Sequence, residues 1–392
     1  MRRVYADNNA TTRVDDRVVE EMLPLFNEVY GNPSSMHTFG GEAEKKLREA
    51  RERVAEFIKA TPPEIIFTGC GTESDNTALF GTLEAYPDKK HIVTTKVEHP
   101  AVLNPCQLLA KNGYDVTFLS VDSEGMLDLD ELRDSIRDDT AIVSIMYANN
   151  ETGVIFPVEE IGQIVKERGV VFHVDAVQAA GKIPVDVDTL NVDLLALSGH
   201  KIHAPKGVAA LYIRRGTKLR PLLVGGHQEK GRRGGTENLP SIAGFGKACE
   251  LAAEHLPEMS ERVGAMRDKL QDGLLETISD SSVNGGKSPR VPNTLSMRFE
   301  YVEGESILLL LDREGIAASS GSACTSGSLE PSHVLRAMGV PYTSVHGSIR
   351  LSLSRFNTEE QIDYVLKKFP PIISRLRQIS PFVQTSPTSR SG

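Results

Sequence analysis

Short apolar runs alternate with amphipathic stretches through the first half of this chain. That alternation limits the fold more than any other feature. Residues 65–68, 91–95, 116–121, 141–148, 170–175, 194–197 and 208–213 read as strands. Between them, 72–85, 100–112, 129–137 and 158–168 read as helices. Ahead of the first strand, 41–60 carries Ala43, Leu47, Ala50, Val54, Phe57 and Ile58 at steps of three and four, which is the pattern of a helix with one apolar face. The run AIVSIMYA at 141–148 is apolar almost throughout, as a strand buried on both faces must be. The expected fold is α/β: a large, mostly parallel sheet covered by helices on both faces, with ligands at the carboxyl ends of its strands.

From about Pro240 a long helical stretch leads to a second pattern, with strands at 294–299 and 348–352 and helices at 305–313 and 359–369. This reads as a smaller α/β domain. The expected division is 15–260 for the large domain and 1–14 with 261–380 for the small one. The Ser/Thr/Pro-rich segment 381–392 is expected to be a disordered tail. Acidic residues outnumber basic ones, 53 against 44, a net charge of −9, which argues against nucleic acid as a partner. The longest strongly apolar run is 307–311, too short for a membrane span. No apolar stretch follows the N-terminal MRRVYADNNATT, so no signal peptide is expected and the cytoplasm is the default location. The four cysteines form no C-x-x-C pair, which gives weak support to a metal centre within the chain or to a disulfide framework.

Several segments carry chemistry. In DLLALSGHKIHAPKG, a buried strand delivers Ser198, Gly199, His200 and Lys201 at its end. A lysine there forms a Schiff base if its amine is partly deprotonated, and Ser198 and His200 suit a phosphate. The alternative is a solvated turn lysine, which accounts for most lysines. Lys206 competes, but Pro205 and Gly207 mark a turn. In VVFHVDAVQAAGK, Asp175 ends another apolar strand, where a carboxylate pairs with a protonated ring nitrogen or simply caps a helix. Gln178 lies one turn further on. In FTGCGTESDN, glycines end a strand and Thr72 opens a helix, a phosphate site or a plain capped turn. His99 is a ring-stacking proton shuttle or a surface cap. Asn149 and Asn150 are turn formers or ligands of a cofactor hydroxyl. Arg350 lies on an alternating strand, either as a bidentate partner for a carboxylate or as an ordinary surface strand arginine, which is the reading for Arg355. Cys324 stands in a run of Ser, Gly, Ala and Thr, the composition of an exposed loop in which a thiol is accessible. Cys106 and Cys249 sit in helical apolar patterns, and Cys70 lies in the proposed phosphate turn.

In order along the chain, YADNNATT, GNPSSMH, CGTESDN, VEHPAV, ANNETG, HVDAVQ, SGHKIHAPKG, GGHQEKGRRGGTEN, SSGSACTSGSLEPSHVLRAMG and SIRLSLSRF resemble the cysteine desulfurases of the class V aminotransferase superfamily, nearest to their nitrogen-fixation (NifS) type. The resemblance implies the type I fold of pyridoxal 5'-phosphate enzymes, a homodimer, and L-cysteine as substrate. It implies Lys201 as the Schiff-base lysine, Asp175 on the pyridine nitrogen, Gln178 on the ring hydroxyl and His99 stacked on the ring. Gly71, Thr72, Ser198 and His200 would bind the phosphate, with Thr236 reaching in from the partner subunit. Asn150 and Arg350 would hold the substrate carboxylate. Cys324 would be the nucleophile that keeps a persulfide, and the candidate ligand to a transferred iron–sulfur cluster. The implied sulfur acceptor is an iron–sulfur scaffold protein. Two alternatives stay open: a selenocysteine lyase on the same fold, and a non-catalytic sulfur carrier.

Overall fold

A computed structural model describes residues 3–320 and 331–380. The segment holding Cys324 and the tail expected at 381–392 lie outside the described residues. After a two-residue strand β1 (Val4–Tyr5), a seven-stranded sheet forms from β2 (Ile65–Thr68), β3 (His91–Thr95), β4 (Asp115–Leu119), β5 (Thr140–Ser144), β6 (Val171–Asp175), β7 (Leu194–Ser198) and β8 (Ala209–Ile213). Its order is β2-β8-β7-β6-β5-β3-β4, and β8 alone runs antiparallel to its neighbours. Every residue of β3, β5, β6, β7 and β8 is buried, while the edge strand β4 is partly exposed. The two faces feed different cores. Phe67, Val93, Val143, Phe172 and Leu195 pack on one side with the helices Thr38–Phe57 and Leu239–Glu254. Ile66, Ile92, Ile142, Val171 and Leu194 pack on the other with Gly71–Ala85 and Pro100–Lys111. This is the covered, mostly parallel sheet that the alternating pattern predicts.

Beyond the helix Gly264–Thr277, β9 (Ser281–Val283), β10 (Thr294–Phe299), β12 (Ser319–Ser320) and β13 (Ser348–Ser352) form a four-stranded antiparallel sheet. β11 (Ile316–Ala317) pairs with β1 in parallel. A separate apolar cluster sits here and includes Val4, Ala6, Leu270, Phe299, Leu351 and Phe369. Residues 7–15 then cross back to the large sheet: Thr12 N–H donates to the His200 carbonyl at 3.0 Å and Asp15 N–H to that of His203 at 3.1 Å.

Several bounds shift by a few residues, the helix expected at 41–60 running Thr38–Phe57, and three changes stand out. The strand expected at 141–148 ends at Ser144, because Met146 N–H donates to the Glu98 side chain instead of a neighbouring strand. The helix expected to open at Thr72 opens at Gly71, with Cys70 at the cap position and no side chain bonded there. The helix expected at 359–369 runs from Glu359 to Ile379, through Pro370 and Pro371. Consecutive prolines remove two N–H donors and normally break a helix. Here the buried stripe of Ile362, Val365, Phe369, Ile372 and Ile373 continues past them and offsets the loss.

Candidate active site

The parallel strands point their carboxyl ends to one rim, and a cavity of about 410 Å3 opens there. β6 ends on Asp175, and β7 ends on Ser198 and turns through a short helical segment, Gly199–Lys201. Gly71 and Thr72 begin the helix after β2, His99 caps the helix after β3, and Asn150 follows β5. Arg350 arrives from β13 of the second sheet. Gly71, Thr72, His99, Asn150, Asp175, Gln178, Ser198, His200, Lys201 and Arg350 all line this cavity. Thr236 does not line it; it is exposed beyond the turn Gln228–Gly231. Lys206 is also exposed and away from the cavity, as its turn context suggests.

The Lys201 amine donates to the carbonyls of Asn9 and Ala10, both at 2.7 Å. Burial, reinforced by the Arg350 cation, pulls its pKa down to about 8 from 10.5. The same two causes, burial and nearby cations led by Lys201, bring His200 down to about 4, so this ring is neutral at pH 7. Asp175 is buried, and Oδ1 accepts Val177 N–H at 2.9 Å. Burial raises its carboxyl pKa, opposed by His99, that backbone N–H and Lys201. The cap reading and the ring-pairing reading therefore share one carboxylate, since one oxygen caps the turn while the group lines the cavity. His99 is similar. Its Nδ1 accepts Ala101 N–H at 3.1 Å, so the neutral ring carries its proton on Nε2. Burial lowers its pKa.

Asn149 and Asn150 separate cleanly. Asn149 Oδ1 accepts the N–H groups of Glu151 and Thr152 at 2.9 and 3.0 Å and closes the turn. Asn150 lines the cavity, and its carbonyl accepts Arg350 Nη1 at 2.8 Å. Arg350 Nη2 pairs with Asp7 at 2.9 Å, and its buried Nε has no partner among the described residues. Arg355 is no surface residue: its side chain is 8% exposed and pairs with Asp15. Cys106 and Cys249 are buried on helices, and burial pushes their thiols up, Cys106 to about 12. Cys70 is exposed and lines the cavity.

Sequence reasoning missed several residues in and around the cavity. Asp7, Asn9 and Ala10 come from the N-terminal crossing segment, and no local pattern announces that they meet Lys201 and Arg350. Asp75 lines the cavity, with its Oδ1 3.4 Å from His173 Nε2, and His173 Nδ1 meets Ser144 Oγ at 2.8 Å. Glu98, next to His99, is fully buried and pushed up to about 8 by that burial. Glu151 lines the cavity and accepts from Ser332 Oγ; burial raises it to about 7. Lys182 is buried four residues after Gln178, a helical spacing that was a usable signal. Among the described residues, no group of three or more His, Cys, Asp or Glu side chains is placed to hold a metal ion.

A parallel sheet with a lysine, a buried carboxylate and an open helix start at one rim defines a class of protein, and the chain belongs to the aminotransferase class-V family, which matches residues 4–365. Within that family it is 60% identical over 379 residues to the cysteine desulfurase of Nostoc sp., spanning 97% of this chain and 95% of the relative. It is 55% identical over 383 residues to the cysteine desulfurase NifS of Azotobacter vinelandii, with the same coverage of 97% and 95%. A solved NifS-like protein superposes with a TM-score of 0.90 at 45% identity, covering 96% of this chain and all of the other.

Proposed function

We propose that this protein is a cysteine desulfurase that uses pyridoxal 5'-phosphate at the cavity described above, moving sulfur from L-cysteine onto Cys324 and leaving L-alanine. The observation that carries the reading is the meeting of Lys201, Asp175 and Arg350 at one cavity. The residues fit the cofactor. The helix Gly71–Ala85 begins with no side chain capping it, which leaves its first N–H groups for a phosphate. A Cβ on Gly71 would stand 3.2 Å from Val177 and 3.5 Å from Ser198, so that start is a close-fitting cradle. Thr72, Ser198 and His200 surround it. Asp175 would supply a buried carboxylate for a protonated ring nitrogen, His99 would stack on the ring, and Gln178 would serve its hydroxyl.

When bound, the cofactor draws electrons away from the substrate's Cα. The chain does the rest. Arg350 and Asn150 hold the substrate carboxylate. Lys201 Nζ, partly neutral near pH 8, takes the Cα proton. The Cys324 thiolate supplies the electron pair for a new S–S bond as the substrate's C–S bond breaks. One cysteine and one thiol thus become one alanine and one persulfide. The persulfide then passes to an acceptor, which we take to be an iron–sulfur scaffold protein serving nitrogenase, since the NifS relative is so close in sequence.

Two copies are needed in this reading, with Thr236 of each serving the other's phosphate site. Support comes from Thr236's exposed position and from the exposed apolar side chains of Phe26, Tyr30, Met36 and Val224. The two separate apolar clusters support the division into 15–260 and 1–14 with 261–380, although Val334 and Leu335 pack with the large cluster. No described helix is long and apolar enough to cross a membrane. The test is turnover. The parent protein with cysteine and a reductant should yield sulfide and alanine in equal amounts, and Cys324→Ala should yield almost none. Sulfide release by Cys324→Ala at the parent rate would overturn the persulfide role.

A further inference from the structure

Lys182 is buried, with 5% of its surface exposed, and it takes part in no ion pair among the described residues. Burying a lysine without a counter-charge is costly, and a methionine would fill the same space without that cost. Burial, with the cations Lys201 and Arg350 close by, pushes its pKa well below the ordinary lysine value. The other titratable groups that feel it are His200 and His203. Its Nζ has one hydrogen-bond partner among the described residues, Gln178 Oε1, at 2.5 Å. The turn between them is built for this meeting. Ala180 and Ile183 N–H close helical turns on Ala176 and Ala179, and Gly181 at φ +71° swings the chain so that Lys182 returns beneath Gln178. A Cβ on Gly181 would approach Ile202 to 2.9 Å, so the close approach needs glycine.

An amide side chain has a donor end and an acceptor end, and its neighbours decide which way it faces. Lys182 Nζ donates to Oε1, and the Asn9 carbonyl, which can only accept, takes the opposite end of the amide. Gln178 Nε2 then points the other way and gives one hydrogen to the Asn9 carbonyl at 3.0 Å, the same oxygen that accepts from Lys201. Its second hydrogen is left for an acceptor in the cavity that Gln178 lines.

We propose that Lys182 is a positioning residue: by holding Gln178 Oε1 it makes Gln178 a hydrogen-bond donor, never an acceptor, toward the ligand in the cavity. The inference rests on the reading of that ligand as pyridoxal phosphate, whose ring hydroxyl is the acceptor. A donor at that oxygen stabilises its ionised form and so lowers the pH midpoint of the bound cofactor's visible band.

The test is a spectrophotometric pH titration of the holoprotein, its Lys182→Met and Gln178→Ala variants and the double variant. Lys182→Met is expected to raise the midpoint by about half a unit to one unit, the worth of one hydrogen bond. It should add nothing in the Gln178→Ala background. Lys182→Gln, which is uncharged but still carries a donor, should keep the parental midpoint, and it decides the matter if Lys182→Met does not fold. An unmoved midpoint in Lys182→Met overturns the inference. So does an equal shift in the Gln178→Ala background, or a displaced midpoint in Lys182→Gln. A parent protein with no visible band in pyridoxal phosphate would sink the cofactor reading, and this inference with it.

Discussion

Asp7 Oδ1 and Arg350 Nη2, 343 residues apart in sequence, meet at 2.9 Å beside the cavity. The pair ties the N-terminal crossing segment to β13, and it holds the guanidinium with its buried Nε still unpaired. An arginine so fixed is ready for an incoming carboxylate. Arg350→Ala is therefore expected to lower kcat/KM for cysteine roughly 30- to 1,000-fold, the loss of about 2–4 kcal/mol of charge-assisted binding. Steady-state sulfide assays check this; a change below threefold would remove Arg350 from the carboxylate site.

Lys201 must be neutral to attack an aldehyde, and its neutral fraction rises with pH. With a pKa of about 8, the rate at which apoprotein captures pyridoxal phosphate should climb from pH 7 through a midpoint near pH 8 and level off roughly one unit above it. Replacing Arg350 by Met removes a cation that lowers this pKa, so the plateau should move to higher pH. Stopped-flow absorbance measures both. A parent midpoint near an unperturbed lysine's pKa, about 10.4, would contradict the depressed amine. Lys201→Ala should abolish the borohydride-sensitive visible band, and Lys206→Ala should leave it intact.

Gly71→Ala adds a methyl 3.2 Å from Val177 and 3.5 Å from Ser198, within the cradle read as the phosphate site. Crowding of this size costs about 1–3 kcal/mol. The expected result is a fall in cofactor affinity of roughly tenfold or more, by equilibrium titration, with a circular dichroism spectrum like the parent's. Unchanged affinity would place the phosphate elsewhere.

Glu98 is fully buried, and burial raises its pKa from 4.5 to about 8. A group raised on folding binds its proton more tightly in the native state, so its contribution is complete below pH 4.5 and fades as pH climbs to 8. Glu98→Gln removes this dependence. The stability of the variant relative to the parent should increase by about 1.4 kcal/mol per pH unit across that window. Urea denaturation at pH 5, 6, 7 and 8 reads it, and parallel curves would show that Glu98 titrates normally.

The main sheet was largely legible from the chain. β2, β3, β10 and β13 begin and end where the apolar runs do, because backbone hydrogen bonding and two-faced burial are recorded locally as runs of Val, Ile, Leu and Phe. Lys201 and Asp175 stood out for the same reason, since each follows such a run and a parallel sheet brings strand ends to one rim. Loop composition makes Cys324 an expected exposed thiol, a reading that falls outside the described residues, and its sulfur chemistry came from family resemblance.

What needed the tertiary structure were contacts between distant segments and the protonation they impose. Nothing near Asn9 or Ala10 says that their carbonyls will receive the Lys201 amine. Nothing near Asp7 says that it will pair with Arg350. The depressed amine of Lys201 and the buried acids Glu98 and Glu151 exist only because packing strips water from them, and desolvation is a property of the folded interior. Local patterning set the sheet, the rim where its parallel strands end and the residue types delivered there; folding decided which way each of them is held and which carry a charge.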